Sequence, residues 1–298
     1  MSSRYWELTV AVSPDTSEGL TNFVWELGAL GVVEQDDAAG RAQLRAFFPE
    51  STDRGALVSD VDRYLAALES LGFVRAGEAA VATVADTDWA EAWRAHFAPL
   101  PIGRRLLVVP PWETPPETNG RLVLTLEPGR AFGTGQHATT AGCLELLEAI
   151  VERERPTRAV DLGTGSGILA IAAARLGVSE ILAIDSDPDA VASATANVER
   201  NDLRDRIRCA CADASTLESE PAPLVLANLL AAAHHALASR YRRLVAAGGT
   251  LVAGGCLDAE ADDVTTALAA HGLHRVAARS IEGWTTLAYQ HAPLRDRA

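Results

Sequence analysis

A short apolar run closing on a carboxylate, Val160-Asp161, leads through Leu162 into three alternating glycines, Gly163, Gly165 and Gly167, and then into Ile168-Leu169-Ala170. The pattern predicts a strand, a tight turn and a helix N-terminus, where absent side chains let a ligand touch bare backbone. The next apolar run, Ile181 to Ile184, ends at Asp185. In a parallel sheet that carboxylate stands at the carboxyl edge of the neighbouring strand, placed to accept hydrogen bonds from two ribose hydroxyls. Together the two segments point to a nucleoside cofactor.

The spacing narrows the choice. Dinucleotide enzymes favour G-x-G-x-x-G, which sets a pyrophosphate on the helix N-terminus. Here the spacing is G-x-G-x-G, with Asp161 just ahead of the turn. A carboxylate there repels a pyrophosphate but suits a ligand carrying an ammonium and a sulfonium, as S-adenosylmethionine (SAM) does. A nicotinamide site is the weaker reading.

A second segment, Glu127 to Thr140, holds Pro128, Gly129, Gly133, Gly135 and His137 ahead of a helix that Thr139 or Thr140 is placed to cap. It falls beside the glycine turn, where ligands bind in such sheets. A lid over the cofactor is expected from it, a long junction turn being the plainer alternative.

These residues need a scaffold that gathers strand ends. From about Thr139 helix and strand alternate: helix Thr140 to Val151, strand Arg158 to Asp161, helix Ile168 to Leu176, strand Ile181 to Asp185 and helix Pro188 to Asn201. Strands Ile207 to Cys211 and Leu224 to Ala227 follow, then helix Ala231 to Ala246, strand Thr250 to Gly254 and helix Glu260 to His271. Two closing strands lie near Arg275 to Ile281 and Trp284 to Gln290. That order predicts an α/β fold, a Rossmann-like doubly wound parallel sheet with a terminal strand pair.

The front of the chain reads differently. Strand Tyr5 to Val12 precedes a helix carrying Leu20, Phe23, Val24, Leu27 and Leu30, stopped by Gly31. A hairpin of Val32-Val33-Glu34 and Ala42 to Phe47 turns around Ala39-Gly40. A second helix carries Leu57, Val61, Tyr64, Leu65, Leu68 and Leu71 up to Gly72, and Ala79 to Val84 is the last strand. This is the smaller, ferredoxin-like α+β arrangement, more plausible for recognition than for catalysis. Asp88 to Phe97 reads as a short helix with Trp89, Trp93 and Phe97 on one packing face. Pro99, Pro101, Pro110, Pro111, Pro115 and Pro116 then punctuate a connector with extended segments at Arg105 to Val109 and Arg121 to Leu126. Three parts result: residues 1–85 for substrate recognition, a connector at 86–126, and a cofactor-binding domain at 127–298.

At 298 residues the chain holds two ordinary domains, and no apolar run is long enough to span a bilayer. The N-terminus has neither an apolar signal core nor an Arg- and Ser-rich presequence, so a cytoplasmic protein without membrane contact is expected. Cys143, Cys209, Cys211 and Cys256 form neither a disulfide framework nor a metal pattern, and no metal is expected. A net charge of -14 argues against nonspecific nucleic-acid binding and for a basic partner. Every basic residue is Arg; there is no Lys. Biased coding composition explains that more simply than an enzyme avoiding its own modification.

The run Glu127-Pro128-Gly129, Ala131 to Gly135, His137 and Thr139-Thr140, then Asp161 to Ala173, Ile184 to Ala190 and Ala227 to Ala231, resembles the bacterial ribosomal protein L-11 methyltransferases. The resemblance extends over nearly the whole chain, including the front end, Asp88-Trp89 and Gly283-Trp284. The glycine turn and acid are shared with most SAM methyltransferases; the Phe132 to Gly135 segment with His137 and Thr139-Thr140 is far more specific. It implies that Thr140, Gly163, Asp185 and Asn228 contact SAM, that Gly165 permits close backbone approach, and that Asp213 lies near the adenine edge. Asn228 would face the methionine end near the transferred methyl group and act in catalysis. Two positions depart from the family: Gln136 and Ala138 stand where it has Thr and Pro. Asn228-Leu229-Leu230 also lacks the Pro-Pro-aromatic of enzymes that methylate flipped bases, which weighs with the charge against a nucleic-acid substrate.

The implied reaction is methyl transfer from SAM to lysine or N-terminal amines of ribosomal protein L-11 by a monomer. It needs alignment and a neutral amine more than a general base, and His137 is expected to be structural. Methylation of another protein or a small molecule, and a non-catalytic SAM-binding role, are the alternatives.

Overall fold

The computed structural model describes residues 4–36, 42–70, 73, 76–85, 97–115, 117–127 and 137–291. The chain divides into two compact units, Met1–Phe97 and Ala98–Ala298. Residues 86–96, with Trp89 and Trp93, lie outside the described residues, as do the hairpin tip at Ala39-Gly40, Gly72 and residues 128–136.

In the first unit, strands β1 (Arg4–Ala11), β2 (Gly31–Asp36), β3 (Ala42–Pro49) and β4 (Ala80–Ala85) form an antiparallel sheet in the order β2-β3-β1-β4. Alternation along β1 and β3 turns Leu8, Val10, Leu44, Ala46 and Phe48 to one face. Helices α1 (Pro14–Glu26) and α2 (Arg54–Ser70) cover that face with Leu20, Val24, Leu57, Val61 and Leu65. The order and the two helices are those of the split βαβ arrangement read from the sequence. One boundary differs: α1 ends at Glu26 and not near Gly31. Gly28, at φ +89°, donates its N–H to Trp25, and Ala29 donates to Val24. This paired C-terminal cap needs a left-handed residue and closes the helix early, leaving Leu27 and Leu30 beyond it.

In the second unit, β5 (Leu100–Ile102), β6 (Leu106–Val109) and β7 (Leu122–Thr125) make a small three-stranded sheet from the region expected to be a connector. Ile102, Leu106, Val108 and Leu124 pack into the same core as helices α3 (Ala138–Glu154) and α4 (Ile168–Leu176). The large sheet comprises β8 (Arg158–Leu162), β9 (Glu180–Asp185), β10 (Ile207–Cys211), β11 (Ala222–Asn228), β12 (Val245–Leu257), β13 (Leu273–Ile281) and β14 (Trp284–His291). Its order is β10-β9-β8-β11-β12-β14-β13. The first five strands run parallel and β14 is antiparallel to both neighbours.

Successive residues alternate between two cores. Ala159, Leu224 and Leu226 face α3 and α4, while Val160, Val225 and Ala227 face α6 (Ala231–Leu244) and α7 (Ala261–Ala269). Helix α6 stops at Leu244, short of the expected Ala246, because β-branched Val245 turns extended and pairs with Ala222. The direction of winding reverses between β8 and β11, which opens a crevice at their carboxyl ends.

Two asparagines on or after α5 (Pro188–Arg200) fasten β7 to this sheet. Asn201 accepts from Thr125 N at 3.0 Å and donates to Thr125 O at 2.7 Å. Asn197 accepts from Glu127 N at 3.0 Å and donates to Ser166 O at 2.9 Å, linking the end of β7 to the glycine turn. Asn201→Leu keeps the volume but strips both Thr125 backbone groups, and is expected to cost about 2–3 kcal/mol. A calorimetric melt checks this; an unchanged transition contradicts it.

Candidate functional site

The crevice is built from the ends of β8, β9 and β11 and the turn after β8. Gly163, Gly165 and Gly167 take φ of 68°, 55° and 85°, values that Cβ-bearing residues rarely adopt. Space is also tight at two of them. A Cβ on Gly163 would come within 2.5 Å of Leu229 Cδ2, and one on Gly167 within 3.3 Å of Ala194. Thr164 N donates to Ile184 O at 2.8 Å. Gly165 N donates to Asp185 Oδ2 at 2.9 Å, and Asp187 N to Asp185 Oδ1 at 3.0 Å. Asp185 therefore holds the turn while keeping lone pairs on both oxygens for further donors.

Asp161 is fully buried, and Thr164 Oγ1 donates to its Oδ2 at 2.6 Å. Its Oδ1 is buried without a partner among the described residues. Burial pushes its carboxyl up to about 7, with Asp185 adding to the rise, against the Thr164 hydroxyl and the Ala170 N–H. A carboxylate so placed is stabilised by an incoming cation.

Asn228 ends β11 and directs Nδ2 to Thr139 Oγ1 at 3.3 Å and Thr140 Oγ1 at 3.4 Å. Its Oδ1 is the second buried acceptor without a partner among the described residues. Both threonines are buried in the first turn of α3. The cap of that helix is His137, not a threonine: its Nδ1 accepts from Thr139 N at 3.3 Å and lies 2.8 Å from Thr139 Oγ1. An imidazole nitrogen supplies the oxygen's role, leaving both hydroxyls to face Asn228. The His137 ring packs edge-on against Trp284, with centroids 5.1 Å apart. Burial lowers its pKa, opposed by Glu282, so the ring favours its neutral form.

The structure thus joins Gly163 to Leu229, Gly165 to Asp185, and Thr140 to Asn228, as a connected edge. Asp213 stands further out; it is exposed and accepts from Ser215 N at 2.7 Å in its own turn. That hydrogen bond lowers its pKa. Residues 128–136 of the expected lid, Gln136 among them, lie outside the described residues, while Ala138 opens α3.

Several residues of this edge escaped the sequence reading. Leu229 roofs the first glycine. A Cβ on Gly254 would strike Cys143 Sγ at 2.3 Å and Asn228 Oδ1 at 2.8 Å, so bare backbone is required beside Asn228. Adjacent glycines inside a strand signal such close approach, and Gly254-Gly255 carried that signal. The Cys143 thiol beneath them is pushed by burial up to about 12 and Cys256 up to about 11. Thiolate, the reactive form, is therefore scarce at both. With a thiol reagent at pH 8, exposed Cys211 should label first, and Cys143 only on unfolding; labelling of Cys143 in the folded protein contradicts the burial argument.

Against known proteins, the family model for ribosomal protein L11 methyltransferase (PrmA) matches residues 4–292. The ribosomal protein L11 methyltransferase of Pelobacter propionicus is 36% identical, with 98% of this chain and 99% of that one aligned. That of Pelotomaculum thermopropionicum is 39% identical over 95% of this chain and 97% of its own. The crystal structure of a ribosomal protein L11 methylase from Lactobacillus delbrueckii subsp. bulgaricus superposes with a TM-score of 0.61 at 27% identity, covering 66% of this chain and all of that one. With a family match over nearly its full length and relatives above 35% identity, the chain belongs to the ribosomal protein L11 methyltransferase family.

Proposed function

We propose that this enzyme, which methylates ribosomal protein L11 with SAM as donor, directs the methyl group to amine nitrogens, those of lysine side chains or the N-terminus. The observation that carries the site assignment is the pair of orphaned acceptors. Asp161 Oδ1 and Asn228 Oδ1 are both buried and without partners among the described residues, at the ends of adjacent parallel strands. An unpaired buried acceptor is costly, and an ammonium supplies the missing donors and balances a buried carboxylate. The pair of acceptors therefore fits the ammonium at the methionine end of SAM. In the same reading the glycine turn, through Gly163 and Gly165, admits the cofactor against bare backbone. Asp185 receives the ribose hydroxyls, and Thr140 holds Asn228 in place.

SAM supplies an activated methyl group with a good leaving sulfide, so the protein's task is alignment. Holding both reactants in line is worth about 7–11 kcal/mol of the barrier. Asn228 orients the acceptor nitrogen through an oxygen. A lysine amine, with a reference pKa of about 10.4, must arrive neutral, and a desolvated pocket beside a sulfonium favours that form. Leu230, two residues beyond Asn228 and 67% exposed, offers an apolar surface to a lysine stem. His137 is a cap and not the base, because Thr139 already occupies Nδ1.

Charge supports a basic protein partner. Residues 1–97 hold seven arginines and sixteen acids, a net of -9, whereas the other 201 residues hold 19 arginines and 24 acids, a net of -5. Such a field steers a basic protein and repels nucleic acid. At residue 231, where base-methylating enzymes carry a stacking aromatic, stands a buried alanine. A cytoplasmic monomer is the accompanying reading, and no helix among the described residues is long and apolar enough to cross a membrane.

Transfer of labelled methyl from SAM to purified L11, followed by peptide mass spectrometry, tests the proposal: label on amine nitrogens supports it, and label on other atoms removes it. Asn228→Ala should reduce turnover roughly 10²-fold, as for a misplaced reactant. The Asp161 carboxyl, raised to about 7 in the free protein, must ionise to meet a cation, so SAM binding should tighten as pH rises through 7. Between pH 6 and pH 8 the gain should be roughly tenfold. Titration calorimetry across that range should find weaker, pH-flat binding in Asp161→Asn; a slope retained in that variant assigns the dependence elsewhere.

A further inference from the structure

We infer that His234 is a positioning residue for methyl transfer, acting on Asn228 through the carbonyl of Gly254; this rests on the reading that Asn228 faces the transferred methyl group. His234 and Tyr241 lie on α6, seven residues and thus two turns apart, on one face and fully buried. His234 Nε2 is 2.8 Å from Gly254 O, and Nδ1 is 2.8 Å from Tyr241 Oη. A carbonyl only accepts, so Nε2 carries the hydrogen; Nδ1 then accepts, and the tyrosine hydroxyl donates. The chain of donors runs one way, from Tyr241 through a neutral imidazole to the strand. Burial, which lowers the His234 pKa and raises that of Tyr241, favours this neutral form.

The carbonyl it holds sits at the tightest corner of the edge. Gly254 pairs in register with Asn228, and its carbonyl also accepts from Leu229 N at 3.0 Å. A Cβ on Gly255, at φ +86°, would come within 2.3 Å of Leu229 O. Between Ala253 and Cys256 the pairing of β12 with β14 breaks register, so that neighbour does not hold the Gly254–Gly255 peptide. Two glycines give that peptide more freedom than any other pair of residues. His234 removes the freedom from below, and Leu229 transmits the result to Asn228. A leucine would fill the same space but leave Gly254 O with the Leu229 N–H alone, one bond instead of two against tilting of the peptide plane.

A double-mutant cycle on the full-length enzyme tests the inference, reading kcat at saturating SAM and L11, SAM affinity by calorimetry and the thermal transition. His234→Leu should lower kcat roughly tenfold. Added to Asn228→Ala it should lower kcat no further, since both act on one group. His234→Gln, whose amide can donate to Gly254 O and accept from Tyr241, should recover most of the rate. Tyr241→Phe, which unseats only one end, should lose several-fold. The inference is overturned by additive losses in the double variant, by a folded His234→Leu enzyme with unchanged kcat, or by His234→Gln performing no better than His234→Leu. Should His234→Leu fail to fold, the Tyr241→Phe and His234→Gln rates decide alone, both at wild-type kcat refuting a link to chemistry and the expected partial loss sustaining it. Full kcat in Asn228→Ala would instead refute the reading of Asn228 itself, and the route through it.

Discussion

Parallel strands that all end at one edge leave polar groups there that the sheet itself cannot satisfy. This molecule answers that constraint differently at each of three ends. Asp185, half-buried at the end of β9, takes two backbone N–H groups and fixes the turn. Asn228, at the end of β11, uses its amide hydrogens on two threonines, and its oxygen has no partner among the described residues. Asp161, at the end of β8, is the most deeply buried and has one oxygen without a partner among the described residues. The unanswered groups are both acceptors. The three glycines and the bare backbone of Gly254 leave this edge without side chains beside those acceptors, and on the proposed reading a ligand's donors complete them.

That constraint also explains why the site was so legible. Gly163, Gly165 and Gly167 stand out in a sequence because their φ values admit little else, and Asp185 because a carboxylate closes an apolar run. Periodicity gave the alternation of elements, since each strand of the parallel sheet feeds two cores and each helix one. What stayed hidden were bonds that skip across the chain. Asn197 and Asn201 reach residues 70 and 76 positions away, and no local pattern marks an asparagine for such a task. His137 was passed over as a cap because the preference for small hydroxyl and acidic residues pointed to the threonines beside it. Gly28 ended α1 four residues early, at Glu26, through a cap formed by positive φ, where hydrophobic spacing alone ran on to Leu30. Nothing in the local sequence singles out His234; only its fold partners give it a direction.

The electrostatics of the edge bear on how an amine could react without a base. His137 has its Nδ1 committed to Thr139 and is held below its ordinary pKa by burial. Cys143, beneath the same corner, remains a thiol at any physiological pH and is no rival nucleophile. On the proposed reading the Asp161 carboxyl, pushed up to about 7 in the free protein, pairs with the ammonium of the methionine end, whose own carboxylate leaves that end a single net positive charge. On the same reading the sulfonium lies toward the acceptor, away from the Asp161 carboxyl. A positive charge in a desolvated pocket disfavours a protonated amine, which would otherwise be almost wholly charged at neutral pH. A sulfonium in a desolvated pocket, as this reading places it, favours the neutral amine, its proton passing to water. On the proposed reading the division of labour is spatial: the carboxylate anchors the far end, Asn228 aligns the near one, and the sulfonium favours the neutral amine.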